Sequence, residues 1–338
     1  MDNDPHIRHS LPDRSYSSGI KREIHRLAES LGLSKLRLGE TDIIVSEMVS
    51  NLNKHASDGE LLVKAFQDLH GRTGLELISI DHGPGIENLD EMLKDGNSST
   101  NTLGQGLGAI KRLSDEFDIY SITGWGTILL SRIFAHNPIQ EKRMLRLAIN
   151  TIMLPKKGER VCGDGWKIIR RGFEYDLIAL DGLGHGTEAN KAAKAAIDEF
   201  SVIKNATPAD TIKILHRKIQ KTRGAVGMVM HLNTLNNLFS YAGLGNISAR
   251  IFGHEKNKTC ISYNGIIGHT IPNSLHTNQV GIQKNETLIV NSDGFKSRWD
   301  VAHLPNILNH DGSIVAAALY KDFSRKTDDL LVIVVKLI

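Results

Sequence analysis

Glu47 and Asn51 are the first side chains whose types and spacing suit chemistry. They are four residues apart in SEMVSNLNKHA, so they share one face of a helix. An amide oxygen can ligate Mg²⁺ and a carboxylate can accept a proton. Taken alone, the pair also fits two solvated residues on a helix surface. The neighbouring stripe of the helix is apolar and predicts that the pair lies beside the core: Ile44, Val45, Met48, Val49 and Leu52.

A second motif, DHGPG at 81–85, ends an apolar strand. The carboxylate of Asp81 can accept a hydrogen bond from an exocyclic amine, and Gly83 and Gly85 allow a base to approach the backbone closely. An ordinary turn at the end of a strand would have the same composition. The motif therefore indicates a nucleotide site only together with others.

A third motif, GQGLG, contains Gly104, Gly106 and Gly108 and opens a predicted helix. Backbone N–H groups at the N-terminus of a helix bind phosphate. No strand directly precedes the motif, which disfavours a Rossmann site.

Acidic residues at predicted strand ends mark the second half of the chain. They are Asp164 in GDGW, Asp181 in LDGLGHG, Asp293 in SDGF and the pair Asp328-Asp329 in TDDLL. Carboxylates that converge from separate strand ends form a hard oxygen site suited to Mg²⁺ or Mn²⁺. Two such ions can activate water and stabilise a phosphoryl group under attack. Each Asp-Gly step by itself is equally typical of a simple turn.

The apolar periodicity predicts the elements that position these residues. In the first half helices and strands alternate without a parallel βαβ rhythm, which predicts a mixed sheet with helices on one face. The predicted helices of this half are 17–31, 38–55, 88–94 and 107–114, and its strands are 60–69, 75–81, 117–122 and 127–134.

The second half reads as many strands with a helix pair between them, which predicts a β-sandwich flanked by helices. Pro138 and the polar residues around it indicate a linker at 136–141, so we expect domains at 1–136 and 142–338. The predicted strands are 144–153, 161–170, 174–180, a series within 225–252, 287–291 and 330–337, and the helices are 188–203, 209–220 and 312–322.

Composition narrows the functional classes. The net charge is only +3 and aromatic residues are 5%, without a motif that reads nucleic acid, so we expect no nucleic-acid partner. No apolar run approaches the roughly 18 residues of a membrane span, so we expect no membrane partner. Cys162 and Cys260 lack metal-ligand spacing, which indicates free thiols in the cytoplasm.

The order and spacing of the three nucleotide motifs resemble the Bergerat-type (GHKL) ATPase fold, an α/β sandwich. EMVSNLNKHA, SIDHGPGI, LGQGLGAIKRLSDEFDIYS and GWGT further resemble RsbT-type switch kinases over residues 5–135. The resemblance implies that Asn51 ligates Mg²⁺, that Glu47 is the general base on a Ser or Thr hydroxyl, and that Asp81 binds adenine with Thr127 close by. It also implies that the glycines shape the ATP pocket and a mobile lid: Gly83, Gly85, Gly104, Gly106 and Gly108.

GDGW, LDGLGHGTEANKAA, SDGF and DDLLVIVV in this order resemble PPM-type phosphatases of the SpoIIE/RsbX group over residues 143–338. The resemblance implies that Asp181 bridges two Mn²⁺ or Mg²⁺ ions, with the Gly182 carbonyl as an added ligand. Asp293 and Asp328 would complete the set, and Asp164 would hold a metal-bound water or a further ion.

Two assignments in this second site stay open at the level of sequence. Asp329 is an alternative to Asp328 as the metal ligand. His185 could act as an acid, but in DGLGHG it fits better as a residue that shapes the turn. Asp181 and Asp164 are the candidate catalytic residues of this half, as Glu47 is of the first.

Together the resemblances imply a bifunctional regulator of a bacterial stress or sigma-factor partner-switching pathway. The first domain would use ATP and Mg²⁺ to phosphorylate a STAS-domain protein, and the second would remove such a phosphate. A downstream phosphatase or a sigma-regulatory protein is a further expected partner. The alternatives are that the first domain is an ATP-gated binding module fused to an active phosphatase, and that one domain is a pseudoenzyme that regulates the other.

Overall fold

The computed structural model describes residues 4–11, 17–55, 58–93, 103–135, 146–253 and 257–338. The chain divides into two compact units. The N-terminal unit is His6–Arg143 with Val301–Lys321, and the C-terminal unit is Met1–Pro5, Met144–Asp300 and Asp322–Ile338. The predicted linker, 136–141, lies outside the described residues. Within the described ranges, no helix is long and apolar enough to cross a bilayer.

The N-terminal unit contains a five-stranded sheet in the order β1-β2-β3-β5-β4. All of its pairings are antiparallel, whereas the sequence pattern suggested a mixed sheet. The reason is local, since β2–β3 and β4–β5 are hairpins that turn at Gly71 and Gly124, both with positive φ. The short, half-exposed β1 has no alternation that would have predicted it. The strands are β1 Ile7–Ser10, β2 Glu60–Gln67, β3 Thr73–Ile80, β4 Glu116–Ile122 and β5 Gly126–Phe134.

Helices cover one face of this sheet, as predicted. Alternate residues of the strands point to that face, so Leu61, Val63, Leu75 and Leu77 join one core with Met48 of α2. The predicted helix at 107–114 begins earlier, so its glycines lie inside the first turns. The helices are α1 Ser17–Ser30, α2 Lys35–His55, α3 Leu89–Met92 and α4 Leu103–Leu113.

The opposite face of the sheet is covered by residues 301–321, which come from the second half of the chain. Helix α7, Gly312–Phe323, is buried on almost all sides. Ser313 Oγ donates to Glu76 Oε2 at 2.8 Å, and Arg132 Nε donates to the same oxygen at 2.7 Å. The sequence predicted this helix but not its place, because a helix that is apolar on almost all sides has no stripe that indicates its neighbour.

The C-terminal unit contains two five-stranded antiparallel sheets, in the orders β13-β10-β9-β8-β7 and β12-β11-β14-β15-β6. Helices α5, Thr187–Val202, and α6, Pro208–Lys218, pack on the first sheet, which confirms the predicted β-rich fold with flanking helices. The strands are β6 Leu147–Leu154, β7 Asp164–Arg171, β8 Glu174–Gly182, β9 Ala225–Asn233, β10 Leu238–Leu244, β11 Ser248–Phe252, β12 Lys258–Cys260, β13 Asn278–Gly281, β14 Thr287–Asn291 and β15 Leu330–Leu337.

Candidate functional sites

Asp81 and Thr127 lie together at the end of β3 and the start of β5. Asp81 Oδ1 accepts hydrogen bonds from the backbone N–H of Gly83 at 2.7 Å and of Thr127 at 3.1 Å. Gly126, at φ +120°, permits this approach, since a Cβ there would overlap the carbonyl oxygen of Asp81. Burial raises the pKa of the Asp81 carboxyl, and the two N–H donors partly oppose that rise. The carboxylate is therefore held in one orientation before any ligand arrives.

Ser121 on β4 fixes the loop of the DHGPG motif. Its Oγ lies 2.9 Å from Thr127 Oγ1 and accepts the backbone N–H of Ile86 at 2.8 Å. Gly85 is at φ +76°, and a Cβ there would overlap the carbonyl of Ile122. The sequence did not single out Ser121, because a lone serine on a strand has no local signature.

Glu47, Asn51 and Gly106 meet where α2 packs against α4. A Cβ on Gly106 would lie 2.5 Å from Glu47 Oε2 and 3.9 Å from Asn51 Oδ1. The absence of a side chain at Gly106 thus leaves room for both polar groups. Gly104 and Gly108 also lie within α4.

These groups fit ATP and Mg²⁺. The cradle at Gly106 leaves a carboxylate and an amide oxygen beside the first turns of α4, where backbone N–H groups have no intrahelical partner. Residues 94–102, predicted as part of the lid, lie outside the described residues. The nucleotide-binding roles of the individual side chains remain predictions.

In the C-terminal unit, Asp164 and Asp181 are cross-strand partners at one end of the β7–β8 pair. Asp293 follows β14 and Asp328 precedes β15, and these two strands are neighbours in the other sheet. Burial, with repulsion from Asp293 and Asp328, raises the pKa of Asp181 to about 8. Burial and Asp328 likewise raise the pKa of Asp293. Carboxylates predicted from separate strand ends are thus close enough to repel one another.

Asp164 forms the buried side of this cluster. Ser292 Oγ donates to Asp164 Oδ2 at 2.6 Å and accepts the backbone N–H of Leu331 at 3.0 Å. Burial and the charge of Asp181 raise the pKa of Asp164 well above its ordinary value. The sequence patterns did not single out Ser292, although it directly precedes the predicted ligand Asp293.

Asp328 and Asp329 occupy different surroundings. Asp328 is exposed and repels Asp181 and Asp293, while Asp329 also repels Asp181. Asp329 is 3% exposed, and its Oδ1 accepts the backbone N–H of Lys156 at 2.8 Å. The other oxygen, Oδ2, is buried and lies beside the backbone of Gly163. The open position of Asp328 favours it as the ligand, while Asp329 borders the buried side.

The cluster fits divalent cations in an open site. No three Asp, Glu, His or Cys side chains within the described ranges are arranged to enclose a metal ion as they stand. Mg²⁺, however, keeps several waters and needs only one or two carboxylates. Burial and mutual repulsion raise the pKa values of these carboxylates, and a bound cation would relieve that repulsion.

Two further contacts shape this site without a sequence signal. Asn246, in the turn after β10, donates through Nδ2 to Asp293 Oδ2 at 2.6 Å. His185 Nδ1 lies 2.8 Å from Glu159 Oε1, and a Cβ on the next glycine, Gly186, would lie 2.9 Å from Glu159 Oε2. The His185 contact anchors the turn after Asp181, in keeping with a turn-shaping role.

Both halves of the chain are similar to known proteins. The histidine kinase-like ATPase domain family matches residues 12–132. The serine/threonine-protein kinase RsbT of Bacillus subtilis (strain 168) is 35% identical over 101 residues, which are 30% of this chain and 75% of that protein.

Two solved structures are similar over more than half of the chain. A chain from the bacterial stressosome, described as a modular system adapted to control secondary messenger signaling, is 27% identical with a TM-score of 0.53, and the match covers 57% of this chain and 100% of that one. RsbX in complex with magnesium is 21% identical with a TM-score of 0.50, over 57% of this chain and 96% of its own. The C-terminal part therefore has a PPM-like fold.

Proposed function

The chain belongs to the RsbT family of serine/threonine kinases through its N-terminal part, and from that premise we propose that this part phosphorylates a Ser or Thr of a STAS-domain protein. The observation that carries the proposal is the meeting of Glu47, Asn51 and Gly106 between α2 and α4. This arrangement supports the roles of Glu47 as a base and Asn51 as a metal ligand, both beside a helix N-terminus suited to bind phosphate.

In this proposal each side chain has one role. Asp81, oriented by two backbone N–H groups, accepts a hydrogen bond from the adenine amine, with Thr127 beside it. Asn51 holds Mg²⁺, which would neutralise charge on the phosphates. Glu47 accepts the proton of the substrate hydroxyl as the oxygen attacks the γ-phosphorus, and ADP leaves. Gly83, Gly85, Gly104 and Gly108 keep the backbone close to the nucleotide.

For the C-terminal part we propose hydrolysis of phosphoserine or phosphothreonine with two Mn²⁺ or Mg²⁺ ions. Asp181 would hold both ions, with the Gly182 carbonyl as an added ligand, and Asp293 and Asp328 would complete the set. The metals would supply an activated water and charge for the phosphoryl oxygens. Asp164, buried and hydrogen-bonded to Ser292, would hold a further ion or a water.

The two activities oppose each other, which suits a partner-switching pathway that controls a stress response or a sigma factor. A downstream phosphatase or a sigma-regulatory protein would be a further partner. The cytoplasm supplies ATP, and it would keep the free thiols of Cys162 and Cys260 reduced.

The kinase proposal is tested with purified protein, ATP, Mg²⁺ and a cognate STAS-domain protein. We expect phosphotransfer by the wild type and none by Glu47→Ala. A Glu47→Ala protein that still binds the partner and still signals would instead favour an ATP-gated binding module. A wild type without phosphotransfer would end the kinase proposal.

The phosphatase proposal is tested by release of phosphate from the phosphorylated partner in the presence of Mn²⁺. We expect release by the wild type and loss of release in Asp181→Asn. If Asp181→Asn works as well as the wild type, the assignment of the metal site is wrong. Release that persists in the presence of a chelator would argue against a metal-dependent reaction.

A further inference from the structure

Arg223 lies at the same end of the sheet as the acidic cluster. Strands β8 and β9 pair with Asp181 opposite Val226 and Gly182 opposite Ala225. Arg223 therefore precedes β9 by two residues, next to the turn that follows Asp181. The backbone N–H of Leu183 in that turn donates to the carbonyl of Gly224 at 3.1 Å, which joins the two loops.

The turn leaves room for the guanidinium of Arg223. Gly184 is at φ +88°, and a Cβ there would lie 2.9 Å from Arg223 Nη1. The guanidinium thus rests against the bare backbone of the turn, two residues beyond Gly182. Almost any side chain at Gly184 would displace it.

The side chain of His269 fixes the backbone of Arg223. Its carbonyl oxygen lies 2.8 Å from His269 Nε2, which donates to it. Gly224 is at φ +77°, and a Cβ there would lie 2.6 Å from the ring of the same histidine. An arginine on an anchored loop loses less conformational entropy on binding than one on a free loop.

The guanidinium itself is available. Arg223 is exposed, and its side chain forms no hydrogen bond or ion pair with the described residues beyond the field it exerts on Glu188. Of the carboxylates nearby, Asp164 accepts a hydrogen bond from Ser292 and Asp293 accepts one from Asn246. A guanidinium presents up to five donors in a planar fork that matches the oxygens of a phosphate.

We propose that Arg223 binds the phosphoryl group of the phosphoserine or phosphothreonine substrate, donating to two of its non-bridging oxygens. This rests on the phosphatase activity proposed above. Two divalent ions would offset the charge of the carboxylate cluster, and Arg223 supplies a further positive charge from the protein on the side of the Leu183–Gly186 turn. Arg223 is thereby a substrate-binding residue that selects phosphomonoesters, and it ligates no metal.

The test compares Arg223→Met and Arg223→Lys with a matched control, Arg217→Met. Arg217 is exposed on α6 of the same unit, and among the described residues its side chain bonds only to the carbonyl of Lys213. The measurements on the full chain are the KM and kcat for p-nitrophenyl phosphate with Mn²⁺, and calorimetric titrations with inorganic phosphate and with Mn²⁺.

We expect Arg223→Met to weaken phosphate binding and raise KM by roughly tenfold to a hundredfold. Arg223→Lys should recover part of the loss, because it keeps the charge but not the fork. Arg217→Met should match the wild type, and Mn²⁺ affinity should be the same in all four proteins.

The outcomes separate the inference from the activity on which it rests. Wild-type phosphate affinity in Arg223→Met overturns the inference and leaves the phosphatase proposal intact. A loss of Mn²⁺ affinity in Arg223→Met also overturns it, since the arginine would then act through the metal site. A wild type that hydrolyses no phosphomonoester overturns the phosphatase proposal, while the phosphate titration still decides whether Arg223 binds the anion.

Discussion

At the residue scale, Gly106 links packing to chemistry. Its Cα lies where any Cβ would come within 2.5 Å of a carboxylate oxygen of Glu47. The atom in the way is the end of a flexible side chain, so a larger residue would move the proposed base rather than unfold the helix. A glycine inside a helix costs about 1 kcal/mol relative to alanine, which indicates that function rather than stability keeps it there.

We therefore expect Gly106→Ala to lower the phosphotransfer rate by roughly a hundredfold, because displacing a catalytic group by about 1 Å has effects of that size. Stability should stay the same or rise. The control is Gly39→Ala on α2, where a Cβ meets nothing within 4 Å. Rates are measured at saturating ATP, with thermal unfolding alongside. An unimpaired Gly106→Ala enzyme would contradict the proposed place of Glu47.

Asp181 gives a second prediction at this scale, about pH. Its folded pKa of about 8 lies above the ordinary value of 3.8, so the folded protein holds a proton that the unfolded chain has lost. Without metal, stability should therefore fall as pH rises from about 4 to 8. Asp181→Asn should reduce this fall, to which the raised pKa values of Asp164 and Asp293 also contribute, and Mn²⁺ should abolish it in the wild type. Thermal midpoints at pH 5 and pH 8 would check this, and a metal-free wild type equally stable at both would refute it.

At the element scale, strands β3 and β5 carry an ion pair into the interior of the N-terminal unit. Glu76 and Arg132 are 5% exposed, and Ser313 of α7 bonds to both, with Arg132 Nη2 donating to its Oγ at 2.8 Å. Burial opposes the charge on Glu76, but Arg132 together with His6 and Lys64 outweighs it and holds the pKa of Glu76 well below its usual range. The pair thus connects this face of the sheet to α7 through Ser313.

Glu76→Gln should destabilise the N-terminal unit by about 3 kcal/mol at pH 7, since it leaves a buried charge with fewer partners. Because the folded pKa of Glu76 is depressed, this contribution is complete above the ordinary value of 4.5 and is lost as pH falls below it. The difference in stability between Glu76→Gln and the wild type should accordingly shrink in acid. Hydrogen exchange of the β3 amides measures this stability.

The control for this prediction is Glu40→Gln, which removes a partner of Arg37 at a half-buried site on α2. Such a pair contributes about 1 kcal/mol or less. Equal effects of the two substitutions would mean that the buried pair contributes no more than a surface pair.

At the scale of the whole molecule, the compact units do not follow the order of the chain. The segment that leaves the C-terminal unit after Asp300 covers one face of the sheet of the N-terminal unit and returns at Asp322. Tyr320 donates to Glu60 Oε2 at 2.6 Å, and Lys321 Nζ donates to the carbonyl of Trp125 at 2.6 Å. Trp125 belongs to the turn that holds Asp81, so the segment ends beside the proposed adenine site.

A chain that ends at residue 143 should consequently be much less stable than the same region in the full chain. It would expose Glu76, Arg132 and the apolar strand face that α7 covers. Hydrogen exchange should show lower protection in β2, β3 and β5, and a peptide of residues 301–323 should restore it. Unchanged protection in the truncated chain would show that the segment contributes little.

The sequence by itself determined the motifs and the elements that bear them. Strands β14 and β15 have the predicted bounds, and the predicted ligands Asp293 and Asp328 flank them, because alternation and turn chemistry are local properties of the chain. The ordered motifs also indicated both folds, which the comparisons confirmed.

Only the tertiary structure decided which side chains meet. Ser292 and Asp164 are 128 positions apart, and Ser313 and Glu76 are 237 apart. No periodic pattern encodes such contacts, because they depend on how sheets and helices pack after each has formed. The position of α7 depends on packing for the same reason. Its apolar surface predicts burial, and only the fold shows that the sheet of the first half buries it.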